Sequence, residues 1–184
     1  KVNLITPDKA SPSDILIITA GTTRPDNYQD GWQIVVGRDV IVPVMKESDP
    51  FFEPVSGRGI SPSEFAAMLS SGGTYTWGQL LKSENNTPVT VMIPGDQEAI
   101  TSLAGFAALE PGQVTASVTQ EGAALAGLTE AKSGVIVFCR LSDITDKTGQ
   151  SFTGGVRIVP VDINGNGASD YFEQFYTGFD SFNR

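Results

Sequence analysis

The chain has 184 residues, 40% of them apolar, which is enough for one well-buried globular domain or two small lobes. Its formal net charge of −9 argues against a nucleic-acid partner, because such a binder needs Lys and Arg to neutralise phosphates. The sequence contains no histidine, so the commonest general base near neutral pH is missing. These features favour a non-enzymatic protein whose partners are cations or neutral solutes.

The single cysteine, Cys139, lies in the apolar run 135–139 and is predicted to be a buried structural thiol rather than a nucleophile. No direct membrane span is expected, since no apolar stretch approaches the roughly 20 residues that a membrane helix needs. The sequence begins at Lys1 rather than at methionine. We therefore expect a processed or truncated chain from which any signal peptide has been removed.

Six segments have the composition of β-strands: residues 15–19, 32–44, 88–93, 114–118, 135–139 and 156–161. The segment 32–44 is interpreted as two strands or as one bent strand. Pro43 near its end predicts an edge position, because proline cannot donate a hydrogen bond to a neighbouring strand.

Helices are predicted between these strands. Ser61-Pro62-Ser63-Glu64 and Thr76-Trp77-Gly78-Gln79 both have the spacing of a capping box. Helical periodicity follows at residues 100–107 and 120–132. Alternating strands and helices predict an α/β fold with parallel strands and with ligands near the carboxyl ends of those strands.

The sharpest chemical motif is a calcium-type loop that runs from Asp162 to Glu173. Oxygen-bearing side chains fall at the first, third, fifth, ninth and twelfth positions, and glycine stands at the sixth, where such a loop reverses. The predicted cofactor is a structural calcium ion. Its predicted ligands are Asp162, Asn164, Asn166, the carbonyl of Ala168, Asp170 and Glu173.

Two features separate this loop from a paired EF-hand. Ser169 replaces the apolar residue that pairs two loops, and the residues before Asp162 are strand-like. The alternative is an Asn-Gly-rich turn whose side chains cap their own backbone without an ion. A bound ion would pin the final helix, residues 171–176, rather than take part in catalysis.

Three further segments keep a characteristic order: Val36 to Val44 with Asp49-Pro50, Ile60 to Leu80, and Gly134 to Phe138 with Leu141-Ser142-Asp143. In this order they resemble the phosphate-binding-protein-like branch of the type II periplasmic solute-binding proteins. The resemblance extends over most of the chain. The segment from Pro160 to Gly167 is similar to a loop of some Bacteroidetes-type members.

The resemblance implies a two-lobed α/β fold with residues 1–45 and 136–184 in the first lobe and 46–135 in the second. The family's first strand, glycine/serine loop and first long helix have no counterpart before Ile15, so a partial member is expected. In the family, two lobes close on a solute, and helix N-termini help to hold anions. The implied ligand-binding residues are Thr22, Thr23 and Arg24 after the first strand, and Gly95, Asp96 and Gln97 after a later one.

The second group departs from the family pattern. Asp96 and Glu98 stand where the family has hydroxyls and an arginine, and two carboxylates would repel phosphate. They are interpreted as caps of the following helix. For the first group, Thr22 to Arg24, the alternative is a polar turn with a solvated arginine.

The sequence therefore predicts an extracytoplasmic, non-enzymatic solute-binding-type domain whose ligand differs from phosphate, or a scaffold of the same fold in a larger envelope protein. The alternative is a calcium-stabilised adhesion or protein-interaction module of the cell envelope. Expected partners are a small solute or anion and a membrane permease of the ABC type or an envelope protein. The expected location is periplasmic or extracellular, and a lipid anchor on the full-length protein is compatible with it.

Overall fold

The computed structural model describes residues 40–119, 123–130, 133–146, 151–152, 155–170 and 173. All of them belong to the second of two compact units, Lys1–Arg38 and Asp39–Arg184. The strand predicted at residues 15–19 and most of the segment 32–44 lie outside the described residues. So does the predicted final helix, apart from Glu173. No described helix is long and apolar enough to cross a membrane.

Strands and helices alternate along most of the described chain. The elements are β1 Ile41–Lys46, α1 Phe52–Arg58, α2 Pro62–Ser70, α3 Trp77–Leu81, β2 Thr90–Pro94, α4 Gln97–Phe106, a single 3-10 turn Pro111–Gln113, β3 Ser117–Thr119, α5 Ala123–Glu130, β4 Val135–Arg140, α6 Leu141–Ile144 and β5 Val156–Ile158.

The five described strands form one mixed sheet in the order β3-β2-β4-β1-β5. Strand β2 runs parallel to β3 and to β4, whereas β1 runs antiparallel to both of its neighbours, β4 and β5. The prediction of parallel strands is therefore wrong for β1. Its four central residues are all buried, and a strand buried on both faces has the same apolar pattern whichever way it runs.

Pro43 lies in this inner strand, so the prediction of an edge position is wrong. The backbone N–H of Val159 donates to the carbonyl of Pro43 at 2.8 Å, so the proline nitrogen faces the β5 side of the strand. Strand β5 ends at Ile158, one residue before Val159. The missing donor of Pro43 therefore falls where the β1–β5 pairing stops, and it interrupts no ladder.

The predicted lobe boundaries, after residues 45 and 135, fall inside this sheet. Val42 of β1 pairs with Cys139 of β4, and Ile136 of β4 pairs with Val91 of β2. Of these pairs, the second joins segments assigned to different lobes, and the division into two lobes stays a prediction. The predicted α/β class itself is confirmed, with one mixed sheet and helices on its faces.

Apolar side chains pack on both faces of the sheet and alternate along β4 with the two-residue period of a strand. Ile136 and Phe138 join the larger core cluster, which includes Phe65 of α2, Trp77 of α3 and Leu103 of α4. Val135, Val137 and Cys139 join the smaller cluster on the other face, with Leu128 of α5 and Ile144 of α6. Helices therefore cover the sheet on both sides.

Both predicted capping boxes are confirmed. The Glu64 N–H donates to Ser61 Oγ at 3.3 Å, and Ser61 N–H donates back to Glu64 Oε2 at 3.0 Å. At α3 the Gln79 N–H donates to Thr76 Oγ1 at 3.2 Å, and Thr76 N–H donates to Gln79 Oε1 at 2.8 Å. Local sequence alone therefore determines where these two helices begin.

Helix α1 was not predicted, because its sequence contains proline and glycine and because no side chain caps the N–H groups of its first turn. Distant contacts stabilise it instead. Val55 is fully buried, and Arg58 donates from Nη1 to the carbonyl of Leu80 at 2.9 Å. Arg58 also forms an ion pair with Glu64 at 2.7 Å.

Asp49 joins the end of β1 to the start of β4. Its carboxylate accepts hydrogen bonds from Phe51 N–H at 3.0 Å and from Gly134 N–H at 2.7 Å, and the residue is only 7% exposed. The Trp77 ring stacks on Phe51 at 4.3 Å, and its Nε1–H donates to the Gly134 carbonyl at 3.3 Å. Gly134 has φ +75°, and a Cβ there would lie 2.7 Å from Trp77 Nε1, so only glycine fits.

The substitution Asp49→Ala should lower the free energy of unfolding by about 2 to 4 kcal/mol, because two N–H groups lose their acceptor away from water. Urea unfolding followed by circular dichroism measures this change. The matched control is Glu84→Ala, which removes an exposed carboxylate and should change stability by about 0.5 kcal/mol or less. Equal effects of the two substitutions would contradict the role given to Asp49.

Candidate ligand site at the carboxyl ends of the parallel strands

Three parallel strands end at one edge of the sheet: β2 at Pro94, β3 at Thr119 and β4 at Arg140. Strand β1 begins at the same edge, because Ile41 lies opposite Arg140. In open α/β sheets, ligands bind outside the carboxyl ends of the strands. This edge is therefore the candidate ligand site.

Gly95 lies in the turn between β2 and α4, and this turn passes close to the end of β3. A Cβ at Gly95 would lie 2.8 Å from the carbonyl oxygen of Thr119 and 3.1 Å from Val118 Cγ1. Thr119 Oγ1–H in turn donates to the carbonyl of Ile93 at 3.1 Å. Glycine is thus needed here for the close approach of two backbone segments.

Asp96 caps the N-terminus of α4, as predicted. Its Oδ1 accepts a hydrogen bond from Ala99 N–H at 2.8 Å. The exposed Gln97 side chain donates from Nε2 to Thr101 Oγ1, one turn along the helix, at 3.5 Å. Within the group Gly95, Asp96 and Gln97, Asp96 is therefore the residue whose side chain caps the helix N-terminus.

Arg140 completes the site and was missed by the sequence analysis. Its Nη2 lies 3.6 Å from Asp96 Oδ1, and the two side chains are 26% and 29% exposed, respectively. The ion pair links the end of β4 to the start of α4. A usable signal was present in the sequence, since Arg140 is the first charged residue after the apolar run 135–139.

The electrostatics of this edge differ from those of a simple anion site. A helix N-terminus and a guanidinium both attract anions, and here both contact the carboxylate of the chain's own Asp96. Asp96 Oδ2 is buried and accepts no hydrogen bond among the described residues. The arrangement thus places the Arg140 guanidinium beside a carboxylate that also caps the helix.

Cys139, the residue before Arg140, lies in the core as predicted. It is 2% exposed and belongs to the smaller core cluster. Burial, with a smaller contribution from the negative charge of Asp143, raises the pKa of its thiol to about 12. The thiol therefore stays protonated near neutral pH, which excludes it as a nucleophile there.

The other predicted ligand-binding residues, Thr22, Thr23 and Arg24, lie outside the described residues. Their role stays a prediction.

The calcium-type loop is closed by the carboxylates at its two ends, and both are buried. Asp162 Oδ1 accepts from Gly165 N–H at 2.8 Å and from Asn166 N–H at 3.1 Å, and its Oδ2 accepts from Gly167 N–H at 2.8 Å. Glu173 accepts three more backbone hydrogen bonds, at 2.8, 3.3 and 3.0 Å, from Ile163, Asn164 and Asp170. Six backbone N–H groups are thus satisfied by two side chains.

The remaining predicted ligands bond to one another and to the backbone. The side-chain amides of Asn164 and Asn166 donate to Asp170 Oδ2 at 2.9 and 3.0 Å. The Ala168 N–H donates to Asn166 Oδ1 at 2.9 Å. Among the described residues, no group of three or more His, Cys, Asp or Glu is arranged to hold a metal ion. This is the geometry of the self-capping turn, and calcium binding stays a prediction.

The loop docks on the C-terminal end of α1. Ile60 N–H donates to the Pro160 carbonyl and Asp162 N–H donates to the Ile60 carbonyl, both at 3.0 Å. Gly59 has φ +72°, and a Cβ there would lie 3.0 Å from the backbone nitrogen of Asp162. These contacts give the loop a structural role whether or not it holds an ion.

One cavity of about 460 Å³ lies at the opposite end of the sheet, next to Lys46, Glu47, Thr129 and Gly155. It is open to solvent, and the Lys46 ammonium donates across it to the carbonyl of Thr129 at 2.7 Å. The carboxyl ends of β2, β3 and β4, where an α/β sheet binds its ligands, lie at the other edge. We therefore place the candidate ligand site at the carboxyl ends of the parallel strands and not at this cavity.

No family model and no curated protein matches this sequence. Three solved structures are similar to it at low identity. The first is assigned as a phosphate ABC transporter substrate-binding protein with bound phosphate from Clostridium perfringens: 14% identity, TM-score 0.48, 67% of this chain and 45% of that one covered. The second is a possible phosphate binding protein from Planctomyces limnophilus: 10% identity, TM-score 0.51, 69% of this chain and 43% of that one covered. The third is an ABC-type phosphate transport receptor from Vibrio cholerae: 15% identity, TM-score 0.44, 75% of this chain and 53% of that one covered.

The similarity to the Planctomyces limnophilus protein, with a TM-score of 0.51, shows a shared fold. The predicted phosphate-binding-protein-like α/β fold is thereby confirmed. This chain spans less than half the length of that protein. A Bacteroidetes-type origin and a truncated chain stay predictions.

The substitution Asp162→Asn should lower the free energy of unfolding by about 1 to 3 kcal/mol in the presence of a chelator, because an amide nitrogen would face backbone N–H groups. Urea unfolding in EGTA measures the loss. Asp170→Asn is the matched control, since among the described residues its carboxylate accepts only from the exposed side chains of Asn164 and Asn166. A loss for Asp170→Asn as large as that for Asp162→Asn would contradict the backbone role of Asp162.

Proposed function

We propose that this chain is a non-enzymatic solute-binding-type domain that works outside the cytoplasm and binds a small polar solute at the carboxyl ends of β2, β3 and β4. The observation that carries the proposal is the pairing of Asp96 with Arg140. Two charged side chains meet at the edge where an α/β sheet binds its ligands, and neither is needed to complete the apolar core.

The shared fold supports the proposal. The Planctomyces limnophilus protein, which has this fold, is described as a possible phosphate binding protein, and the similar Vibrio cholerae protein as an ABC-type phosphate transport receptor. By analogy, we propose a permease of the ABC type or another envelope protein as partner, and a periplasmic or extracellular location. A lipid anchor on the full-length protein fits the same proposal.

The chemistry of the site also supports binding rather than catalysis. Arg140 brings a partly exposed guanidinium to this edge, and Asp96 brings a partly exposed carboxylate 3.6 Å from it. The adjacent thiol of Cys139 is buried and protonated near neutral pH. Such a pair can orient a polar solute without providing a nucleophile.

A structural calcium ion in the loop from Asp162 to Glu173 is a separate proposal, supported by the spacing of oxygen-bearing residues. If the ion binds, calcium should raise the melting temperature relative to EGTA, and Glu173→Gln should abolish the increase because its oxygens close the coordination shell. Thermal denaturation measures both. Identical melting in calcium and in EGTA would leave the self-capping turn as the complete account of the loop.

Solute binding is tested by thermal denaturation with a panel of probes: inorganic phosphate, sulfate, a neutral monosaccharide and a zwitterionic amino acid, each at about 10 mM. We expect at least one probe to raise the melting temperature, because a ligand of the native state stabilises it. The increase should disappear in Arg140→Gln, which removes the donor of the site.

Arg157→Gln is the matched control. Arg157 lies on β5, where it pairs with Glu47 at 3.0 Å, so its loss should leave the response to the probe unchanged. A response that persists in Arg140→Gln would place binding elsewhere on the chain. No response to any probe would contradict solute binding and favour an adhesion or interaction module.

A further inference from the structure

We infer that Asp96 makes the candidate site reject doubly charged oxyanions, so that the accepted solute is neutral or cationic. The inference deepens the proposed function, because it names the class of solute that the same site takes. It assigns Asp96 a role in specificity in addition to its role as a helix cap.

The Asp96 carboxylate lies between the start of α4 and Arg140. Its Oδ1 is 2.8 Å from the Ala99 nitrogen and 3.6 Å from Arg140 Nη2. The Ala99 N–H at the helix N-terminus and the guanidinium would each attract an anion. Both already contact the same oxygen, so the chain supplies its own anion at this point.

The negative charge of Asp96 also opposes the binding of an anionic ligand. The carboxylate of Asp96 offsets the charge of Arg140. A doubly charged oxyanion would approach within a few ångströms of Asp96, where like charges repel. Displacing the cap would also leave the Ala99 N–H without its acceptor.

The other oxygen of the Asp96 carboxylate, Oδ2, is shielded from solvent. Asp96 Oδ2 is buried and accepts no hydrogen bond among the described residues. A solute therefore cannot reach Oδ2, and the charge of the carboxylate is offset on its other oxygen, where Arg140 Nη2 lies 3.6 Å from Oδ1. An oxyanion that drew Arg140 away from Asp96 would remove that compensation.

The test uses Asp96→Ser, because serine caps a helix about as well as aspartate but has no charge. Amide signals of Glu98 and Ala99 are followed by NMR during titrations with sulfate and with inorganic phosphate, at ionic strength held constant with chloride. We expect saturable shifts in Asp96→Ser, with an affinity at least about tenfold higher than in the unsubstituted chain. The unsubstituted chain should show no saturable shift.

Two further variants sharpen the test. Glu98→Gln is the matched control, since it removes a carboxylate from the same turn without touching Arg140, and it should behave like the unsubstituted chain. Asp96→Asn keeps the shape of the cap and removes only its charge, so it should also gain saturable binding and thereby separate the effect of charge from that of side-chain size. Adding Arg140→Gln to Asp96→Ser should abolish the gain.

Two outcomes would overturn the inference. The first is saturable binding of sulfate or phosphate to the unsubstituted chain with the affinity of Asp96→Ser. The second is the absence of saturable shifts in both Asp96 variants when their other amide signals show a native fold. Either outcome leaves the proposed function intact, because that proposal fails only if no probe stabilises the native chain through Arg140.

Discussion

The described fold depends on the position of β1 between β4 and β5. This strand runs antiparallel to both neighbours, with Val42 opposite Cys139 and Val44 opposite Ile158. Its central residues are buried on both faces, so it contributes to both core clusters. At its end, Asp49 accepts a hydrogen bond from Gly134, the residue before β4. One strand thereby joins the sheet, the two cores and the turn that starts β4.

The same arrangement determines where the candidate site lies. Strands β2, β3 and β4 are parallel, so their carboxyl ends share one edge. Gly95 lets the β2–α4 turn approach the end of β3, and Arg140 extends from the end of β4 toward the cap of α4. The site is therefore a product of strand direction, and its charge balance is set by Asp96 and Arg140 together.

Features that depend on a few neighbouring residues could be predicted from the sequence. The capping boxes at Ser61 and Thr76 and the cap at Asp96 each require only residues within one helical turn. The buried environment of Cys139 followed from the apolar run around it. The spacing of the loop from Asp162 to Glu173 was equally local, but spacing alone does not decide whether oxygens face an ion or backbone N–H groups.

Features that depend on distant residues could not be predicted in this way. The direction of β1, the inner position of Pro43 and the single sheet across both predicted lobe boundaries result from strand pairing, which leaves no mark on an apolar run. Helix α1 forms in an unfavourable sequence because Arg58 reaches Leu80 and Glu64. The pairing of Asp96 with Arg140 likewise joins residues 44 positions apart, counting from 96 to 140.

The most direct test of this account is the nuclear Overhauser effect between α-hydrogens across β1. Leu141 N–H donates to the Val40 carbonyl, so Pro43 and Phe138 form a non-hydrogen-bonded antiparallel pair with Cα atoms about 4.5 Å apart. We predict strong effects between the α-hydrogens of Pro43 and Phe138 and between those of Val44 and Ile158. Absence of both effects in the folded chain would contradict the inner antiparallel position of β1, and with it the location of the site.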